Sequence, residues 1–127
     1  MIYKNNIMVV EDNPINLRLI KTVLTKLGYN VMSAEDAETA LATLKEYHPD
    51  LILMDLQLPG IDGLQLTKIL KDNPKTSHII ILAMTAFAMK GDEEKALQGG
   101  CDGYISKPID ILSLPTILNG YLDKKTE

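Results

Sequence analysis

The chain has no tryptophan, one phenylalanine and one cysteine among its 127 residues. A single cysteine, Cys101, excludes an internal disulfide framework, so stability has to come from a packed apolar core, in which that thiol is expected as a small filler. The two histidines, His48 and His78, stand apart without a cysteine or histidine at metal-ligand spacing, which argues against a zinc centre. No run approaches the ~18 apolar residues of a membrane span. The opening MIYKNNIMVVEDN holds one short apolar stretch cut by acids instead of the long apolar core of a secretion signal. Basic runs are missing as well. Thirteen Lys and Arg against 17 Asp and Glu leave a net charge of −4, so no surface is built to neutralise nucleic-acid phosphates. These absences leave the expectation of a soluble cytoplasmic protein that binds neither nucleic acid nor membrane.

What is present is a core. Hydrophobic side chains make up 46% of the chain, enough for one compact domain over residues 1–127 and too short a chain for a second. Short apolar runs alternate with stretches of helical periodicity, the pattern of strands and crossover helices. The runs at 7–10, 30–34, 51–54, 79–84 and 103–106 read as strands. Several are apolar throughout, as in a parallel sheet covered on both faces.

Between them lie five helices. Asn13 caps the first, with Pro14 at its first position, and Ile15, Leu19, Ile20, Val23 and Leu27 form its expected inward face up to Gly28. Asp36 caps the second, whose stripe is Ala37, Ala40, Leu41 and Leu44. A third follows Gly63 with Leu66, Ile69 and Leu70 inward, and a fourth runs from about Gly91. The last carries Leu114, Ile117, Leu118, Tyr121 and Leu122. Its start is expected at Ser113, because a start at Asp110 would set Pro115 inside the helix. Five βα repeats with short connections imply an α/β, open, doubly wound five-stranded parallel sheet. Ligands of such sheets sit beyond the carboxyl ends of the strands.

At those ends stand Glu11 and Asp12, then Asp55, Thr85 and Lys107 followed by Pro108. Alone, each has an ordinary reading: EDN as capping acids, Asp55 as a turn residue before LPGIDG, Thr85 as a β-branched strand residue, Lys107 as a solvated charge. Together they converge on one sheet edge. At an effective dielectric of about 20, two like charges ~4 Å apart repel by on the order of 4 kcal/mol. Three carboxylates there call for positive charge, from Lys107 and from a hard divalent cation such as Mg2+.

The order VVEDN, DLILMDLQLPGIDG, MTAFA and YISKP resembles the receiver domain of two-component response regulators, over essentially the whole chain. The resemblance implies a CheY-like (flavodoxin-like) fold with strand order 2-1-3-4-5. It implies that Asp55 is the phosphoacceptor, taking a phosphoryl group from a histidine kinase or histidine phosphotransferase. Glu11 (through water), Asp12, Asp55 and the backbone carbonyl of Gln57 are the implied magnesium ligands. Thr85 and Lys107 are implied to bind the phosphoryl oxygens, Thr85 and Tyr104 to form the switch, and the Lys107–Pro108 peptide to be cis. The face of the fourth helix, fifth strand and fifth helix is the implied contact for a downstream protein target. Gln57 and Phe87 occupy positions that bear on the lifetime of the phosphoryl group.

TAFAMKGDEEKALQGGCDGYISKP is most similar to the single-domain cell-division regulators of the DivK type and to receivers attached to hybrid sensor kinases. Because the chain starts with methionine and ends in the polar DKKTE, a stand-alone regulator without an effector domain is expected, with a receiver excised from a hybrid kinase as the alternative. Such a domain is no enzyme beyond its own aspartyl phosphorylation and dephosphorylation. A haloacid-dehalogenase-like phosphatase would carry a second acid two residues after the nucleophile, where this chain has Gln57. A flavodoxin would need a small, hydroxyl-rich loop in place of EDNP.

Overall fold

The computed structural model describes residues 4–85 and 90–126. Phe87 and most of MTAFA therefore lie outside the described residues. The elements alternate as β1 (Asn6–Val10), α1 (Pro14–Lys26), β2 (Asn30–Ala34), α2 (Ala37–Thr43), β3 (Leu51–Asp55), α3 (Gly63–Asp72), β4 (Ile80–Thr85), α4 (Lys90–Gln98), β5 (Gly103–Ser106) and α5 (Leu114–Thr126). The five strands form one sheet in the order β2-β1-β3-β4-β5, with every pairing parallel.

Alternation along the strands divides the interior into two halves. Met8, Val10, Ile52, Met54, Ile81 and Ala83 pack beneath α2, α3 and α4. Ile7, Val9, Leu51, Leu53, Leu82 and Met84 pack beneath α1 and α5. Both faces being covered explains why β3 and β4 carry no polar residue before their carboxyl ends. Cys101 is buried and contacts the Thr67 hydroxyl at 3.7 Å.

The helix starts follow local chemistry. Asn13 Oδ1 accepts the Ile15 and Asn16 N–H groups at 3.0 and 3.1 Å, and Asp36 Oδ1 accepts that of Thr39 at 2.7 Å. For α3 the cap is Asp62 rather than Gly63. Asp62 accepts the Gln65 N–H at 2.9 Å while Gln65 Oε1 accepts the Asp62 N–H at 3.0 Å, a reciprocal capping box. Pro115 is the second residue of α5, where the missing N–H costs no helical bond, and the Ile117 N–H bonds the Ser113 carbonyl at 3.1 Å.

Three expected inward residues are not inward. Ile15 is 78% exposed and Leu19 49%. The docked stripe of α1 is instead Leu17, Ile20 and Leu24, whose spacings of three and four keep it aligned, while Ile15 and Leu19 fall to its side. On α3, Ile69 is exposed beside the buried Leu66, Thr67 and Leu70.

At the amino ends of the strands, the Tyr47 hydroxyl lies 3.1 Å from the Ile7 carbonyl oxygen and 2.8 Å from that of Asn30. It thereby ties the entrance of β3 to β1 and β2. Burial, reinforced by the charge of Asp50, pushes the phenol up to about 12. Tyr47→Phe removes the donor from two carbonyls and is expected to cost about 1 kcal/mol in urea unfolding. In an ultraviolet pH titration of the five tyrosines, a late component near 12 belongs to Tyr47 and should disappear from the titration of the variant.

Candidate functional site

Each polar residue at the carboxyl edge is held there by strand pairing. The Glu11 N–H bonds the Ala34 carbonyl at 3.0 Å, extending the β1–β2 ladder one residue beyond β1. Asp55 closes β3 opposite Met84 of β4, and Thr85 closes β4 opposite Ser106 of β5. The Lys107 N–H bonds the Thr85 carbonyl at 2.7 Å, which sets the lysine at the end of β5. The Lys107–Pro108 peptide is cis.

From these anchors the charged groups meet. Carboxylate oxygens of Glu11, Asp12 and Asp55 all lie within 4.8 Å of one another. Glu11 is fully buried and Asp55 only 4% exposed, whereas Asp12 faces solvent. Lys107 Nζ lies 2.9 and 3.1 Å from the two Glu11 oxygens and 3.3 Å from Asp55 Oδ2. Asn16 Nδ2, on the first turn of α1, donates to Glu11 Oε1 at 3.0 Å. The Gln57 N–H donates to Asp55 Oδ1 at 2.9 Å; the Gln57 side chain is exposed.

Burial pushes the Asp55 carboxyl up to about 6, aided by Glu11 and opposed by the Gln57 N–H and Lys107. Burial alone would lower Lys107, but its contacts with Glu11 and Asp55 outweigh that and hold the ammonium above its ordinary value. Asp55 is therefore mainly ionised at neutral pH, though less completely than a solvated aspartate. The arrangement presents two buried carboxylates and a third facing solvent, a neighbouring ammonium and a set of hard oxygen donors at the sheet edge.

Thr85 is buried beside this group. Tyr104, on β5, is half-buried against the α2–α4 side, and its hydroxyl bonds the Glu93 carboxylate of α4. That bond and the charge of Glu93 hold the phenol above its ordinary value. Asn16 and Glu93 are the two participants that the linear sequence did not reveal. Both read there as ordinary helix residues, and their partners are five and 11 positions away on other elements.

Residues 7–119 match the family described as the response regulator receiver domain. The chain belongs to that family. Over 117 residues it is 47% identical to the polar-differentiation response regulator DivK of Brucella ovis, with 92% of this chain and 95% of the relative covered. Among solved structures, the receiver domain of the Pseudomonas aeruginosa sensor histidine kinase PA1611, described with a magnesium ion coordinated in the active site cleft, superimposes with a TM-score of 0.86 at 35% identity. The match covers 94% of this chain and 98% of that one. The receiver domain of Saccharomyces cerevisiae Ssk1, crystallised with the histidine phosphotransfer protein Ypd1, gives 0.83 at 31%, covering 94% and 89%. This receiver domain is accordingly a two-component signalling module of the DivK-like kind, and its acidic cluster is compatible with magnesium. No helix among the described residues is long and apolar enough to cross a membrane.

Proposed function

We propose that Asp55 accepts a phosphoryl group from a phosphohistidine on a partner kinase or phosphotransferase, and that the acyl phosphate switches the face of α4, β5 and α5 toward a downstream protein. The observation that carries this reading is the convergence of Glu11, Asp12 and Asp55 within 4.8 Å around a lysine bonded to two of them. In the transfer, an Asp55 oxygen attacks phosphorus as the donor's phosphorus–nitrogen bond breaks, and that electron pair returns to the imidazole ring. No general base is needed, because the attacking carboxylate is already ionised. Lys107 and the Thr85 hydroxyl bind the phosphoryl oxygens; positioning and charge neutralisation are the main demands of this chemistry.

The donor set fits magnesium. It is all oxygen, and three carboxylates against one ammonium leave two negative charges for a divalent ion. Glu11, Asp12, Asp55 and the Gln57 carbonyl would hold it. When bound, it supplies neutralising charge for the phosphoryl oxygens. Beside the acceptor, a groove of about 460 Å³ lined by Leu19, Ile20, Lys107, Pro108 and Ile109 adjoins α1 and the loop before α5, where Ile15 and Leu112 are 78% and 90% exposed. We assign the phosphohistidine protein to this surface.

We infer that the domain works as a DivK-like receiver in the cytoplasm, in control of cell division. It catalyses only its own phosphorylation and dephosphorylation. The 47% identity to DivK over 95% of that protein favours this over a receiver cut from a hybrid kinase, the reading that the PA1611 likeness supports. Incubation with acetyl phosphate, with and without magnesium, followed by mass spectrometry, tests it: one phosphoryl group should appear on the peptide holding Asp55, and only with magnesium.

Switching follows from competition for Tyr104. Phosphoryl oxygens draw the Thr85 hydroxyl inward, and the ring leaves Glu93 for the space opened behind it, a population shift limited by how much better the phosphoryl group fits that state. Thr85→Ala is expected to remain phosphorylated at Asp55, more slowly than the parent, while abolishing the change in the Tyr104 ring resonances. A variant whose ring signals still moved fully on phosphorylation would remove Thr85 from the switch.

A further inference from the structure

At the opposite end of the sheet from Asp55, a groove of about 690 Å³ opens between the turn after α2, the exposed side of α3 and the segment entering β4. Its floor is apolar, formed by Leu41, Leu44, Ile69 and Ile79. Its banks are basic. Lys45 and His48 stand on the α2 side, Lys75 and His78 on the β4 side, so two histidines 30 positions apart in sequence share one groove.

The charge balance here is the reverse of the chain's. Acids outnumber bases overall, 17 to 13, yet no carboxylate lines this groove. Of the nearby acids, Asp72 pairs with Lys68 at 3.5 Å, Asp50 accepts the Asn6 N–H at 3.0 Å, and Glu46, exposed on the turn after α2, does not line the groove. Among the described residues, neither Lys45 nor Lys75 has an ion-pair partner within 4.0 Å. Ile69 stays 42% exposed on the floor between them.

We infer that this groove is a docking site for a short acidic, amphipathic peptide segment of a partner protein. Aliphatic side chains of that segment would cover Ile69 and the floor, and carboxylates would reach Lys45 and Lys75 on the two banks. Neither feature suffices alone. Exposed lysines hold a free carboxylate weakly, and an uncharged apolar segment would gain nothing from the basic banks. At about 690 Å³ the groove has room for a few side chains of such a segment. Because it lies at the amino ends of the strands, the domain has a contact surface separate from its phosphoryl chemistry.

The test uses the full chain, 15N-labelled, without magnesium or phosphodonor, so its outcome is independent of the phosphoacceptor assignment. A synthetic helical peptide combining leucine and glutamate is titrated in, beside the same peptide with glutamine in place of glutamate. The glutamate peptide should shift amide signals confined to residues 41–48 and 69–79. The double variant Lys45→Glu, Lys75→Glu should bind it at least about tenfold more weakly while its amide spectrum away from the substituted residues stays superimposable on the parent's. Equal binding of the two peptides, equal binding by the variant, shifts centred elsewhere, or no shifts at all would each overturn the inference.

Discussion

Asp55→Asn is expected to lower phosphorylation by acetyl phosphate by on the order of 10³-fold or more, the usual scale when an enzyme-like site loses its nucleophile. Asparagine keeps the volume and can still accept the Gln57 N–H that now lies 2.9 Å from Asp55 Oδ1. It lacks the anionic oxygen that the proposed transfer joins to phosphorus. Lys107 keeps its two contacts to Glu11 at 2.9 and 3.1 Å, so the ammonium is not stranded. Removing one of the clustered carboxylates also relieves repulsion with Glu11, and in magnesium-free buffer the variant should melt no lower than the parent. Loss of labelling without loss of stability thus separates chemistry from folding. Continued labelling of the variant, at Asp12 or elsewhere, would move the acceptor to another residue.

Gly63→Ala is expected to destabilise the fold by about 3 kcal/mol or more. A Cβ at this position would collide with the Asp55 carbonyl oxygen and lie 2.8 Å from the Leu56 Cα and 3.0 Å from the Asp55 carbonyl carbon. All three are backbone atoms, so no rotamer change gives relief. Either α3 lifts from the sheet or the end of β3 bends. Thermal unfolding should shift down by about 10 °C or more, and because the displaced strand end carries Asp55, the phosphorylation rate should fall even where the variant is folded. Gly91→Ala is the matched control. That glycine lies in α4 with nothing within 4 Å of the added methyl, and the same change there should be stabilising by up to ~1 kcal/mol through helix propensity. Equal effects at the two sites would show that crowding against the backbone of β3 is not the cause.

The architecture was legible because the buried strands and the turn residues between them are local signals. Asn13, Asp36 and Ser113 stand where helix starts were read, and all five strands appear within one residue of their expected ends. Where the sequence misled, a tertiary choice decided. Ile15 and Leu19 obey helical periodicity as well as Leu17 and Leu24 do, and only the angle at which α1 meets the sheet selects one stripe. Asp62 could not be separated from the turn formers around it until its exchange of bonds with Gln65 was seen. Thr85 was read as following β4 and is instead its last residue, paired with Ser106. The candidate site was legible for the same reason as the strands, since strand ends in a parallel sheet share one edge. The hold of Asn16 on Glu11 and of Glu93 on Tyr104 was not, because each joins elements whose mutual placement no short stretch encodes.

The strand order has a consequence for a chain still leaving the ribosome. β1 and β3 are neighbours and can bring Glu11, Asp12 and Asp55 together before β4 and β5 have been made, but the balancing ammonium belongs to Lys107, which follows β5. Until then the half-built pocket repels itself and has no lysine to receive a phosphoryl oxygen. The cluster that β1 and β3 assemble thus gains its counter-charge only when β5 joins the far edge of the sheet beside β4.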